Sequence, residues 1–344
     1  MKRLFYLLLF PLITSATFAF KSGESPELQG AENLIETKSI KPDATVAADG
    51  SAEFKSVQAA IDAAPSNRKN FYYIYIKKGV YKEVITIPQD KPYIYLIGED
   101  SSRTLLTYDN YAKKLDATGK EYGTSGSASF FVLGSFFVAE KITFSNTAGI
   151  NAGQALAINI NSELSAFKNC RFLGHQDTWF AGNGTKQYLK HCFIQGSVDF
   201  IFGGSSAFFE KCELQSTRAG YITAASTPDA QQYGYVFDQC KLTAVPTVKE
   251  QSVYLGRPWR PSAHVVYLNC DMGKHIKIEG WHNWGNQSNE RTAFYGEYQS
   301  RGAGYQVDKR VPWSRQLTTD EVEKYSLTQV IGSWSPFIKG KVQL

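Results

Sequence analysis

A short pattern, an apolar residue followed three positions on by a small apolar one and two further on by another, recurs six times in this 344-residue chain. The copies are Ala139-x-x-Ile142-x-Phe144, Phe167-x-x-Cys170-x-Phe172, Leu189-x-x-Cys192-x-Ile194, Phe209-x-x-Cys212-x-Leu214, Phe237-x-x-Cys240-x-Leu242 and Tyr267-x-x-Cys270-x-Met272. Their central residues lie 28, 22, 20, 28 and 30 residues apart. A unit of that size cannot bury its own apolar face, so the recurrence reads as a solenoid of stacked units. Aromatic and β-branched neighbours make the repeated element a strand. The Leu and Asn spacing of a leucine-rich repeat is missing. The expected architecture is all-β, a single-stranded parallel β-helix whose longer coils place their extra residues in loops.

All five cysteines occupy central positions of the repeat. Their odd number argues against a complete disulfide framework and for a buried ladder of small apolar side chains. Stacked neighbours would still approach closely enough for one bridge. Ahead of the repeat, Val57, Ala60, Ile61 and Ala64 have helical spacing and Pro65 ends the run, which predicts a short helix over one end of the core. Strands are expected at Tyr72–Ile76, Glu83–Ile87 and Tyr93–Ile97. Beyond Met272 the repeat dissolves into an aromatic, Gly-rich tail, with a helical segment from Thr318 to Leu327, expected to pack along the solenoid.

Lys2 and Arg3, an apolar run from Leu4 to Ile13 and the small-residue site Thr17-Phe18-Ala19 read as a signal peptide over residues 1–19. A polar linker follows over 20–42, and one domain spans 43–344. No later run reaches the roughly 18 apolar residues of a membrane span. An exported chain, periplasmic or secreted, is expected. The formal charge of +5 falls to +3 without Lys2 and Arg3, which suits an anionic partner only weakly. No basic run or motif points to nucleic acid.

The chemistry concentrates between Cys170 and Gly203. Asp177 follows Cys170 by seven residues, and Asp199 follows Cys192 by seven. Equivalent positions of adjacent coils lie roughly 4.8 Å apart, so this spacing predicts a stacked carboxylate pair. Two such groups do not both ionise comfortably; one keeps its proton, which provides an acid beside a nucleophile or base. A solvent-facing aspartate ladder would have the same spacing. Gln176 adjoins Asp177, and Gln154 lies 22 residues before Gln176, so two neutral amide donors flank the pair, as an oxyanion at a carbonyl would require. Arg257 precedes Cys270 by 13 residues, as Asp199 precedes Cys212. That spacing places its side chain within reach of Asp199, although Arg257-Pro-Trp259 also suits a plain turn. The five histidines lack metal-ligand spacing, and no Gly-x-Ser-x-Gly occurs. No metal or other cofactor is expected.

Gly79-Val-Tyr-Lys-Glu83, Gln154-Ala-Leu-Ala157, Gly174-His-Gln-Asp-Thr178, Gly196-Ser-Val-Asp-Phe-Ile-Phe-Gly203 and Leu255-Gly-Arg-Pro-Trp259 resemble, in order, the signature motifs of pectin methylesterases. The resemblance runs from about Asp43 to Ser335. It implies a right-handed parallel β-helix that hydrolyses the methyl esters of galacturonate units in pectin without metal. It also implies Asp199 as nucleophile, Asp177 as acid/base, Gln154 and Gln176 as oxyanion donors and Arg257 as the partner of Asp199. Trp259, Phe202, Trp179 and Tyr81, within or beside these motifs, are the expected substrate-binding residues, although either indole would also suit the core. His175 and Trp179 depart from the Tyr and Leu common in the family, and Ile97-Gly-Glu-Asp100 from a common Gly-Asp-Gly. The expected partner is methyl-esterified pectin, met by a monomer. A retaining glycosidase also uses carboxylates at such a separation; methanol release as against new reducing ends separates the two. An inert pectin-binding β-helix would keep the aromatics without needing the acid pair.

Overall fold

The computed structural model describes residues 40–337. The expected signal peptide and most of the expected linker lie outside them. The strands wind into a parallel β-helix with three faces. One face is an 11-stranded sheet running from Ala44–Val46 to Arg315–Gln316. It includes Leu164–Lys168, Lys186–Lys190, Ser206–Glu210, Tyr235–Asp238 and His264–Leu268 as successive parallel neighbours. The other two faces belong to a 13-stranded sheet. Short strands such as Arg171–Leu173 build one of them, and Ile158–Ile160 and Trp179–Ala181 build the other. The long strands Phe193–Gly203 and Glu213–Ala225 bend across both.

The turn leading from the first face to the second explains the repeat. The residue before each central position, Lys141, Asn169, His191, Lys211, Gln239 and Asn269, has φ between 52° and 56°. A non-glycine residue there costs roughly 1–2 kcal/mol. Each such residue recovers an inter-coil hydrogen bond: His191 N donates to Glu210 O at 3.0 Å and Lys211 N to Asp238 O at 2.9 Å. The next side chain then points inward. Cys170, Cys192, Cys212, Cys240 and Cys270 are all free and buried, each thiol donating to a carbonyl of the preceding coil, as Cys212 Sγ does to Leu189 O at 3.5 Å. Aromatic rings stack beside them along the axis: Phe209 on Phe237 at 4.4 Å and Phe237 on Tyr267 at 4.6 Å.

The helix Val57–Ala63 covers the N-terminal end with Val57, Ala60 and Ile61 buried. Of the strand expected at Glu83–Ile87, only Ile85–Ile87 forms. Glu83 instead accepts from the Val57 and Gln58 amides at 2.8 and 3.2 Å, answering unpaired donors and the positive end of the helix dipole. A strand at Gly79–Lys82, not foreseen from the sequence, fills the gap. At the far end, Arg310 and Glu297 form a buried ion pair at 2.9 Å, with Trp281 Nε1 donating to Glu297 at 3.3 Å. The tail forms short helices at Thr319–Val322 and Leu327–Ile331. Tyr325, Val330 and Ile331 join a cluster with Tyr188 and Phe208 on the first face, so the tail packs along the solenoid as expected.

Thiol titration checks the ladder. The native protein will expose no cysteine to a bulky disulfide reagent, and non-reducing denaturation will release all five thiols. Fewer than five would reveal a bridge.

Candidate active site

Asp177 and Asp199 lie at the corner between the second and third faces. Trp179–Ala181 pairs in register with Ile201–Gly203, and Asp177 N donates to Val198 O at 3.0 Å. The two aspartates therefore occupy one position in successive coils, as the spacing predicts. Both have positive φ, 62° and 52°, a conformation that Asp tolerates better than most residues and that is found at functional corners. Gly196, three residues before Asp199, makes the corner possible, since a Cβ there would lie 2.1 Å from Phe200 Cβ.

One coil earlier, Gln154 bridges in parallel to Gln176. Both glutamines are half-buried; Gln176 adjoins Asp177, and Gln154 lies one coil further from Asp199. Each aspartate is only 7% exposed. Arg257 meets Asp199 bidentately, with Nε–Oδ1 at 2.9 Å and NH2–Oδ2 at 2.6 Å. Burial, and then the charge of Asp199, push Asp177 up to about 8, against a smaller pull from Arg257. Burial also raises Asp199, but the Arg257 hydrogen bonds and charge oppose it. The shared proton therefore belongs on Asp177.

The pairing with Arg257 is as expected, but its geometric basis is not. Arg257 is in register with Ala224, and Ala224 with Phe202, three residues beyond Asp199. The loops before each following cysteine differ in length, so counting back from Cys270 does not give register; the long side chain makes up the difference.

The expected substrate-binding residues separate. Trp259 is 36% exposed beside Phe202, with ring centroids 5.9 Å apart, and Phe202 meets Phe180 at 5.0 Å. This aromatic row lies along the third face next to the acid pair. Trp179 is 0% exposed and packs edge-on against Phe209 at 5.3 Å and Tyr235 at 6.3 Å; after the corner its side chain turns inward, so it belongs to the core and not to a groove. Tyr81 is likewise buried in an early coil, its hydroxyl donating to Lys77 O at 2.8 Å, and it is not a surface residue. Two side chains that motif reading missed are Tyr221 and Trp284. Their rings lie 3.9 and 3.8 Å from the Arg257 guanidinium carbon.

The family model for pectinesterase matches residues 43–333. The chain belongs to the pectinesterase family. Its members are carboxylic ester hydrolases. Pectinesterase 31 of Arabidopsis thaliana is 43% identical over 281 residues, covering 80% of this chain and 88% of that protein. Among solved structures, pectin methylesterase from carrot superposes with TM-score 0.81 at 33% identity, over 87% of this chain and 96% of that one. A pectin methylesterase in complex with a hexasaccharide superposes with TM-score 0.76 at 29% identity, over 87% and 99%. Among the described residues of this family member, no helix is long and apolar enough to cross a membrane.

Core and groove tryptophans should part experimentally. Trp179→Ala will destabilise the fold by about 3–5 kcal/mol in denaturant unfolding. Trp259→Ala will unfold like the parent and lose turnover of polymeric substrate. Equal stability of both variants would contradict the assignment.

Proposed function

We propose that this family member hydrolyses methyl esters of galacturonate units in pectin, with Asp199 as nucleophile and Asp177 as acid/base. The observation that carries this division is the bidentate Arg257 contact to Asp199, alongside an Asp177 pushed up to about 8. An ionised carboxylate thus lies one coil from a protonated one.

An Asp199 oxygen attacks the ester carbonyl, and the oxyanion accepts from the amide N–H groups of Gln154 and Gln176. Collapse breaks the C–O bond to the methoxy group, which leaves as methanol with the Asp177 proton, and an acyl anhydride remains on Asp199. Asp177, now a carboxylate, takes a proton from water as its oxygen attacks the substrate acyl carbon. Asp199 departs as a carboxylate, and the new galacturonic acid releases its proton to solvent. Trp259 and Phe202 offer aromatic faces to the sugar rings. The substrate is methyl-esterified pectin, met by a monomer in the periplasm or outside the cell, with residues 1–19 as export signal and 43–344 as the catalytic domain. The chain's own acid pair, amides and arginine supply every step.

Methanol release from methylated pectin tests this. Asp199→Asn will abolish it, and Asp177→Asn will lower it by a factor of roughly 10² or more. New reducing ends without methanol would overturn the reading. The acid must be protonated, so kcat/KM will fall as pH rises through about 8.

Stability carries the same signature. Folding favours the neutral form of Asp177, so its contribution is complete below the ordinary value of 3.8 and is lost as pH climbs towards about 8. Asp177→Asn removes that loss and will gain stability over the parent across this interval, as shown by thermal midpoints against pH. A constant difference between the two would place the proton elsewhere.

A further inference from the structure

The contact between Arg257 and Asp199 depends on the orientation of a planar group. Two parallel hydrogen bonds form only when guanidinium and carboxylate share a plane. Both faces of the Arg257 guanidinium are covered, by Tyr221 at 3.9 Å and by Trp284 at 3.8 Å. The column continues behind Tyr221. Tyr254 stacks on it at 5.3 Å with rings 8° apart, and Lys277 lies over Tyr254 at 5.0 Å. His282 stands edge-on to Tyr221 at 5.6 Å and tilted against Tyr254 at 5.2 Å.

Each wall is independently fixed. Tyr221 and Tyr254 are register partners on adjacent strands. Trp284 is on a loop whose preceding Trp281 is buried and stacks on Tyr295 at 4.2 Å. His282 N donates to Gly256 O at 3.1 Å, tying that loop to the strand of Arg257. Trp284 N donates to His282 Nδ1 at 3.0 Å, and Asn283 Nδ2 to Glu290 at 2.8 Å. Trp284 itself is 38% exposed, which its position as the outer lid of the guanidinium explains.

We infer that Tyr221 and Trp284 are positioning residues: they clamp the Arg257 plane so that Asp199 stays ionised and aimed. The inference rests on the assignment of Asp199 as nucleophile. A guanidinium attracted by two aromatic faces loses little freedom in holding both hydrogen bonds. Without one face, Arg257 turns towards water, the burial of Asp199 goes less opposed, and that carboxyl rises. The groups facing it are Asp177 from the preceding coil, Arg257 and, from the tail, Tyr295, whose phenol is kept protonated by burial and then by the Asp199 charge. His282 faces Arg257, and burial, then the charges of Arg257 and Lys277, hold it below its ordinary value. Among the described residues no second cation bonds to Asp199, so a loosened Arg257 has no substitute there.

The test is the pH profile of methanol release by Trp284→Ala, Trp284→Phe and Trp284→Ala in an Arg257→Lys background. For Trp284→Ala, kcat falls roughly tenfold with KM little changed, and the acidic limb of kcat/KM moves up by about one pH unit. Trp284→Phe restores most of both. In the Arg257→Lys background, Trp284→Ala costs little further, because both act through one contact. A raised KM with an unmoved acidic limb and additive effects would make Trp284 only a wall for sugar, and overturn the clamp. The crystal structure of Trp284→Ala judges the clamp apart from activity: loss of the bidentate contact supports it, and Arg257 unmoved on Asp199 overturns it even if the nucleophile proves to be another group. Tyr221→Leu, with Tyr221→Phe as the ring-retaining partner, repeats the measurement from the inner face.

Discussion

Backbone hydrogen bonds between successive coils set the position of every other group in this molecule. They hold parallel strands at roughly 4.8 Å, and so turn sequence separation into stacking. The left-handed residue before each cysteine closes every coil at the same place, and its amide bonds to the next coil. Once that register holds, a side chain repeated at a coil's length forms a column. Columns of thiols and phenyl rings fill the interior, and at one corner a column of two holds carboxylates. Placing two acids together, largely out of water, is unfavourable in isolation. Here the β-helix imposes it and Arg257 compensates the charge of one of the two, which is how the fold comes to hold a proton at an elevated pKa on the other.

How much of this was legible in the sequence depended on whether a loop intervened. From Cys170 to Asp177 and from Cys192 to Asp199 the chain crosses one short strand and one corner, so the count of seven residues survived folding. The intervals leading into the next cysteine cross loops of unequal length; Arg257 accordingly proved in register with Phe202 rather than Asp199, and only the reach of its side chain preserved the contact. Trp179 and Trp259 each follow a site motif, yet one points inward and the other outward. The positive φ of Asp177 resets the alternation of side chains, which a period of two cannot anticipate. Glu83 looked like part of a strand because its neighbours are β-branched, but the bare amides at the start of a helix claimed it.

Tyr221 and Trp284 were out of reach of motif reading for a different reason. Tyr221 follows an irregularity in pairing between Gly196 and Val198 that displaces the register of its strand. Trp284 arrives from the tail, where the repeat has ended and the path is set by a buried ion pair and the stacking of Trp281. Their convergence on one guanidinium is a property of the assembled solenoid. It also unites the parts: the coil register brings the acids together, and the C-terminal cap supplies one wall of the device that sets their difference.

We propose that one proton is shared by the pair and resides on Asp177 while Asp199 is ionised. Infrared difference spectroscopy over a pH titration reads this without substrate. The parent protein will show a protonated-carboxyl band that persists well above the ordinary aspartate range, disappears with a midpoint of about 8, and is absent from Asp177→Asn. A band that survives in Asp177→Asn, or none in the parent above the ordinary range, would contradict it.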